Sequence, residues 1–326
     1  MYLIDVQSDD PAFNLALEEH LFRSTGPGDP GFFILWSNSP SVIVGRFQNT
    51  AAEVNRQFTD ERGIRIVRRM TGGGAVYHDH GNVNYSFIVP AKSGVPFDFS
   101  RFTLPIILAL GRLGVAAETS GRNDLCAGGR KISGSAQHMD GTRLLHHGTL
   151  LFDCDLSALE RSLSVDEEKF TSKGFVSVRS RVTNILSLMP GPVTVTEFME
   201  ELRACVPDAT PMRLEEWRLQ EAERLRDEKY NRWEWNWGES PGFTERKTKR
   251  FPWGKVEALL DVSRGVITRA SFYGDYFGPD NRRQFQRAIE GRLYREDSLK
   301  EALEAFPPSL HFNGAETEEF LRFLLQ

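Results

Sequence analysis

Arg68-Arg69-Met70-Thr71-Gly72-Gly73-Gly74-Ala75-Val76-Tyr77-His78-Asp79 is the stretch from which the rest of the chain is read. Two guanidinium groups precede three consecutive glycines, and the glycines run straight into a β-like segment. Residues without a Cβ let successive backbone N–H groups converge on an anion at close range. An arginine beside them adds a planar fork suited to phosphate or carboxylate. The stretch reads as a cradle for a phosphate-bearing ligand, with a glycine-rich hairpin and two surface arginines as the alternative. It matches neither common nucleotide fingerprint, since Gly-x-Gly-x-x-Gly and Gly-x-x-x-x-Gly-Lys-Ser/Thr are both absent.

Further along, Gly121-Arg122-Asn123-Asp124-Leu125 leads through Cys126-Ala127-Gly128-Gly129 into Arg130-Lys131-Ile132-Ser133-Gly134-Ser135-Ala136. His146-His147-Gly148-Thr149-Leu150-Leu151 follows, and then Ser177-Val178-Arg179-Ser180-Arg181-Val182-Thr183-Asn184. Taken in order with the first stretch and Gly81-Asn82, these pieces resemble the lipoate–protein ligase A family. The resemblance runs from Asn14 past Trp253 and draws its specificity from the order and spacing of the pieces. It implies an α/β (α+β) fold: a mixed, largely antiparallel sheet catalytic domain of the biotin/lipoate ligase type, plus a small α+β C-terminal domain. The expected division is 1–245 for the catalytic lipoate/ATP-binding domain and 250–326 for the accessory domain.

The activity implied is ATP-dependent conversion of lipoate to lipoyl-AMP, then transfer to a lysine of a carrier protein. Bringing two mutually repelling anions together requires cationic groups in the site. Lys131, a compact point charge, is the expected catalytic residue, able to touch both α-phosphate and carboxylate. The resemblance assigns Arg69, Gly72, Gly73, Gly74, Ala75, Val76, Tyr77, Lys131 and Ser133 to the adenylate. It assigns Lys131, His147, Gly73 and Gly74 to lipoate. Arg68 is expected to support the fold or the acceptor surface. Asp124 is a candidate Mg2+ ligand, since a hard cation bridging phosphates favours carboxylate oxygens; a turn-capping role after Asn123 stays open. Strand alternation would put Ser133 and Ser135 on the face of Lys131, and His146 opposite His147. Expected cosubstrates are ATP, Mg2+ and lipoate. Expected partners are lipoyl domains of 2-oxo-acid dehydrogenase acyltransferase subunits and the glycine-cleavage carrier protein.

A rival class is a cofactorless octanoyl or lipoyl carrier-protein acyltransferase, whose thioester nucleophile here would be Cys126. Biotin–protein ligases, with a different glycine-rich signature, rank behind it. His78, His80, His146 and His147 lack the cysteines or carboxylates of a recognisable zinc set.

Size and charge agree with this. The chain has 326 residues, 40% hydrophobic and 26% charged, with a formal net charge of -5. That charge argues against a general nucleic-acid binder. Basic residues gather around the motifs, at Arg62, Arg65, Arg68, Arg69, Arg122, Arg130 and Lys131, although Arg62 and Arg65 also read as solvated surface arginines. No apolar run approaches the roughly 20 residues of a membrane span. Three cysteines without Cys-x-x-Cys spacing fit a reducing cytoplasm. A monomer is expected.

Local patterns supply the elements. Tyr2–Val6, Gly31–Trp36, Ser41–Gly45, Ile64–Arg69 and Asn82–Pro90 read as strands. Pro11 opens a helix capped by Asp10, with Phe13, Ala16, Leu17, His20 and Leu21 facing the core. His20 is expected to be a satisfied core residue. Ala51–Arg62 and Phe102–Leu113 read as helices, the latter with Pro105 in its first turn. Asp124–Asp153 reads as an antiparallel meander. Thr194 and Glu197 make a capping box for a helix through Ala204. Thr210–Lys229 reads as a charged helix. Trp233, Trp235 and Trp237 alternate with polar residues as a half-buried strand would. Thr244–Arg250, with no aliphatic residue, reads as a linker before a β-rich unit starting at Phe251.

Overall fold

The computed structural model describes residues 1–91, 98–121, 123–163, 181–237, 245–279 and 281–325. Arg122, Ser177–Ser180 and Thr244 lie outside them. The chain divides into two compact units. The first comprises Met1–Val44, Ala51–Arg69 and Ala75–Asn236; the second comprises Gly45–Thr50, Met70–Gly74 and Trp237–Gln326.

In the first unit the strands β1 (Tyr2–Asp5), β2 (Phe32–Trp36), β3 (Ser41–Val44), β4 (Arg65–Arg68), β5 (Val76–His78), β6 (Asn82–Pro90), β7 (Ala117–Ser120), β8 (Asp124–Ala127), β9 (Arg130–Met139), β10 (Arg143–Leu151) and β11 (Thr210–Pro211) form two sheets. The large sheet runs β11-β1-β2-β6-β10-β9-β8-β7, and the small one runs β4-β3-β5. In the large sheet, β1 pairs in parallel with β11 and β2, and the remaining ladders are antiparallel. The sheet is therefore mixed and largely antiparallel, and Asp124–Asp153 contains the expected meander.

Side-chain alternation divides this sheet into two dissimilar faces. Phe33, Tyr85, Phe87, Leu125, Ile132 and Leu150 pack with Phe102, Ile106 and Phe198 from the helices Ser100–Arg112 and Val195–Arg203. The other face meets the helix Pro11–Ser24, where Asp10 accepts hydrogen bonds from the N–H groups of Ala12 and Phe13. Ala16, Leu17 and Leu21 of that helix are buried. His20 is not the satisfied core residue expected: it is half-buried, packs edge-on to Trp217, and its buried Nε2 has no hydrogen-bond partner among the described residues.

Several segments differ from their sequence reading, each for a local reason. Ala51–Arg62 is two short helices, Thr50–Glu53 and Arg56–Arg62, because Asn55 caps the second through Phe58 N–H and Val54 bridges Leu163. The Phe102 helix starts at Ser100 under an Asp98 side-chain cap, which places Pro105 in its second turn. Trp233–Asn236 is a helical turn, not a strand, its Trp235 and Asn236 carbonyls accepting from the Arg68 guanidinium. The Thr194–Glu197 capping box is present. The charged helix is Glu216–Leu225, continued by a π-turn Arg226–Tyr230. It has a role the sequence left blank: Lys229 Nζ (2.6 Å) and Tyr230 Oη (2.5 Å) reach the buried Glu19 carboxylate. Burial raises the Glu19 pKa, but Lys229, Tyr230 and Arg23 outweigh it and leave it lowered.

In the second unit, β12 (Glu245–Phe251), β13 (Gly254–Ser263) and β14 (Val266–Tyr276) form an antiparallel sheet in that order. One face packs Val256, Ala258, Leu260 and Phe272 against Phe285, Leu299, Leu303 and Phe320 of three helices. The run read as a linker is thus, from Glu245 onward, the edge strand β12. A charged edge strand is a common guard against unwanted pairing. Arg246 of this strand pairs with Glu257 at 2.5 Å, and Lys249 with Glu319 at 3.3 Å.

Candidate active site

The position of Lys131 follows from an irregularity between β8 and β9. Leu125 opposes Ser133, but Cys126 opposes Lys131, so Ile132 is an extra residue in β9. A bulge of this kind re-aims the side chains on either side of it. Ile132 joins Leu125 in the apolar core, and Lys131 turns to the face of Asp124 and Gly134. Its Nζ lies 2.7 Å from Asp124 Oδ1, with each side chain about a third exposed. Ser133 and Ser135 therefore do not share its face. Ser133 is fully buried, and the Ser135 hydroxyl lies 3.2 Å from that of buried Tyr85. The simple alternation expected from sequence fails because the bulge resets it.

On the same face as Lys131, the one that meets the helix Pro11–Ser24, His147 lies opposite Ser86 on one side and Ala136 on the other. His147 Nδ1 lies 2.9 and 3.0 Å from the two oxygens of Glu18, which is 2% exposed. Ser86 donates to the same carboxylate at 2.6 Å and accepts from Trp36 Nε1 at 2.9 Å. A carboxylate on Nδ1 selects the tautomer with that nitrogen protonated and makes Nε2 the acceptor. His146 is on the opposite face, as expected, stacked on Phe102 and hydrogen-bonded to Gln137. Burial, then His147, pushes its pKa down to about 3.

A second buried polar chain runs from Asn14 through Asn38 to His78, with bonds of 3.0 Å each. His78 is 2% exposed, and burial, then the Arg69 guanidinium and His147, pushes its pKa down to about 3. Arg69, 6% exposed, donates from its side chain to Ile43 O at 3.1 Å. Glu18, Trp36, Ser86 and Asn38 escaped the sequence reading as site residues, and His78 was weighed there only as a metal ligand. The available signal was Glu18-Glu19 between the apolar stretches Leu15-Ala16-Leu17 and Leu21-Phe22, since a carboxylate on a core-facing helix stripe needs a polar partner.

On the small sheet, Val76 opposes Ile43, while Tyr77 opposes Val42 and is buried with it. Burial first, then Asp79, raises the Tyr77 pKa. Ala75 and Val76 are half-buried. Arg68 is structural: its side chain donates to Trp235 O at 2.9 Å and Asn236 O at 3.3 Å. Arg65 pairs with Asp10 at 2.6 Å, and Arg62 lies over the Phe58 ring.

Gly72 to Gly74 belong to the second unit, where they run beside the end of β14. Gly73, with φ +94°, donates its N–H to Tyr276 O at 3.3 Å. A Cβ on Gly72 would lie 2.2 Å from that same oxygen, whereas one on Gly74 would meet nothing nearer than 3.6 Å. Part of the glycine run is therefore explained by close backbone packing; Arg68 and Arg69, each 6% exposed, are not the surface arginines of the alternative reading.

Among the cysteines, Cys154 and Cys205 are poor nucleophile candidates, because burial raises both thiols, Cys205 to about 12. Cys126 is half-buried and opposite Lys131. Among the described residues no cluster of three or more His, Cys, Asp or Glu side chains could hold a metal ion. His78 and His80 part company, the latter facing Asp9 at the surface. Among the described residues no helix is long and apolar enough to cross a membrane.

An ammonium and a carboxylate laid on one sheet face of a domain with buried Glu18–His147 and Arg69 define an enzyme-type site suited to anionic substrates. The chain belongs to the lipoyl protein ligase A/B family: that family's catalytic domain matches residues 10–206, and the bacterial lipoate protein ligase C-terminus matches residues 240–324. It is 38% identical to lipoate-protein ligase LplJ of Bacillus subtilis, over 98% of this chain and 99% of that one. It is equally 38% identical to lipoate–protein ligase 1 of Staphylococcus aureus, over 97% of each. In fold it is similar to P. falciparum LipL1, solved in complex with lipoate, at a TM-score of 0.84 and 24% identity over 100% of this chain and 99% of that one. It is also similar to a bi-partite ligase from Thermoplasma acidophilum, described with its E2 lipoyl domain, at 0.66 and 30% over 75% and 98%. A structure of lipoate-protein ligase A bound with ATP matches at 0.63 and 28% over 73% and 98%.

Proposed function

We propose that this chain activates lipoate with ATP as lipoyl-AMP and transfers the lipoyl group to a lysine of a lipoyl-domain carrier. The observation that carries this reading is the placement of Lys131, turned by the bulge onto an accessible sheet face beside Asp124. Full-length likeness to two proteins named as lipoate–protein ligases supports it.

In the first step the lipoate carboxylate attacks the α-phosphate, and pyrophosphate leaves. The two reacting anions repel each other, and the Lys131 ammonium counters that charge as the pentavalent phosphorus forms. Arg69 is assigned to the adenylate, its backbone and side chain anchored at Val44 and Ile43. Ala75, Val76 and Tyr77 are assigned to the nucleotide through their backbone groups. Gly72 to Gly74 keep the nucleotide assignment on resemblance alone, and the Ser133 side chain drops out. His147, oriented by Glu18, is assigned to the lipoate. In the second step the carrier's lysine amine attacks the mixed anhydride carbonyl, and AMP leaves.

Asp124 would supply a single carboxylate ligand to a magnesium ion that arrives with the nucleotide. When bound it supplies charge neutralisation at the phosphate oxygens. Octanoate should also be accepted, since a ring or methylene difference discriminates by only about 1–3 kcal/mol. We assign the enzyme to the cytoplasm as a monomer. Its carriers would be the acyltransferase subunits of 2-oxo-acid dehydrogenases and the glycine-cleavage carrier.

The test is lipoate-dependent exchange of labelled pyrophosphate into ATP. Exchange should survive Cys126→Ser and vanish in Lys131→Ala. Cys126 does stand opposite Lys131, so a thioester route is the competing outcome. Absence of exchange, with octanoyl moving between carriers only while Cys126 is intact, would replace the ligase by an acyltransferase.

A further inference from the structure

We propose that Gly134 is a positioning residue, its missing Cβ forming the slot in which the Lys131 ammonium lies against Asp124. Gly134 sits inside the ten-residue strand β9. An interior strand glycine weakens a sheet and calls for a reason, often a close approach by another group. Left-handed backbone is not that reason, because Gly134 is not among the glycines with positive φ. Backbone crowding is not the reason either. The nearest atoms to a Cβ built there are Lys131 Nζ at 2.9 Å, Lys131 Cε at 3.1 Å and Asp124 Oδ1 at 3.6 Å.

The glycine is therefore occupied in space by the tip of a side chain three residues earlier on the same strand. Asp124, paired with Gly134 across the β8–β9 ladder, closes the far side of the slot. Thr149, paired with Gly134 on β10, borders it from the other strand, its hydroxyl 3.3 Å from Gly134 N. A methyl group at 134 would displace the ammonium while leaving the backbone in place. The bulge turns Lys131 to this face, and the empty position fixes where on the face its charge rests.

The kinetic part of the test rests on the ligase reading; the structural part does not. In Gly134→Ala the melting temperature should match wild type, and kcat for lipoate-dependent pyrophosphate exchange should fall at least about tenfold. KM for ATP and lipoate should change less than kcat, because the moved charge acts most strongly as the pentavalent phosphorus forms. Asp124→Asn, at saturating magnesium, should lower kcat in the same way. The double variant should be no slower than the slower single one, since both release the same side chain. A wild-type kcat in Gly134→Ala, a lowered melting temperature, or additive losses in the double variant would each overturn the proposal. In the ligand-free chain, side-chain NMR cross-peaks between Lys131 and Asp124 should be lost in Gly134→Ala. Their persistence overturns the slot even if no exchange is ever detected, whereas loss of exchange in wild type counts against the ligase reading alone.

Discussion

Gly72 and Gly74 stand two positions apart and differ in what a methyl group would meet. At Gly72 it would press on a backbone carbonyl, Tyr276 O at 2.2 Å; at Gly74 it would rest in ordinary contact with Asp275. Gly72→Ala should therefore destabilise the second unit by about 1–3 kcal/mol, the range for forced overpacking, read as a lower urea midpoint. Gly74→Ala should melt with wild type, which leaves it free to report on the nucleotide: a raised KM for ATP would support the assignment, and an unchanged one would remove it. The sequence could announce that three positions lack a side chain. It could not separate glycines that admit a ligand from glycines that admit a neighbouring strand, because both require the same missing atom. Lys131 was legible from its motif, yet its face was not: alternation counts residues, and Ile132 adds one that no composition signals.

The short helix Trp233–Asn236 shows how an element can be decided from outside itself. Trp-x-Trp-x-Trp has the period of a strand, and nothing in its own composition opposes that reading. The deciding contacts come from Arg68 and run both ways. Its backbone N–H donates to Asn236 Oδ1 at 2.9 Å, its guanidinium holds two helix carbonyls, and Trp235 Nε1 donates back to Arg68 O at 2.7 Å. Arg68→Ala deletes the guanidinium bonds to both carbonyls, at a cost of about 2–3 kcal/mol. The measurement is a urea melt followed by tryptophan fluorescence; a midpoint equal to wild type would show that the helix stands without the arginine. Elements whose ends carry their own signals, such as the helices capped by Asp10 and Thr194, were legible for the converse reason.

Across the first unit as a whole, two imidazoles set a pH limit. His78 and His146 are held neutral, chiefly by burial, with pKa values pushed down to about 3. Their unfolded pKa is near 6.5. Above that value neither state binds a proton, and stability does not depend on them. Below it the unfolded chain takes up protons that the folded one refuses. Stability then falls by about 1.4 kcal/mol per pH unit for each histidine, down to about pH 3. Urea midpoints between pH 7 and pH 4.5 should show this slope, and His146→Phe, stacked on Phe102 in the same place, should remove about half of it. An unaltered slope in that variant would mean His146 protonates without unfolding.

The fold class was readable at this scale because long motifs reported on a sheet. The division of the chain was harder, because the second unit recruits Gly45–Thr50 and Met70–Gly74 from far upstream. Those two pieces emerge early from a translating ribosome. The strand end they pack on, Tyr276, which stacks with Phe47 at 4.7 Å, follows roughly two hundred residues later. At about 5–20 residues per second, that interval is on the order of ten to forty seconds. For that time a nascent chain carries Phe47 and the glycine run without their native partners on β14.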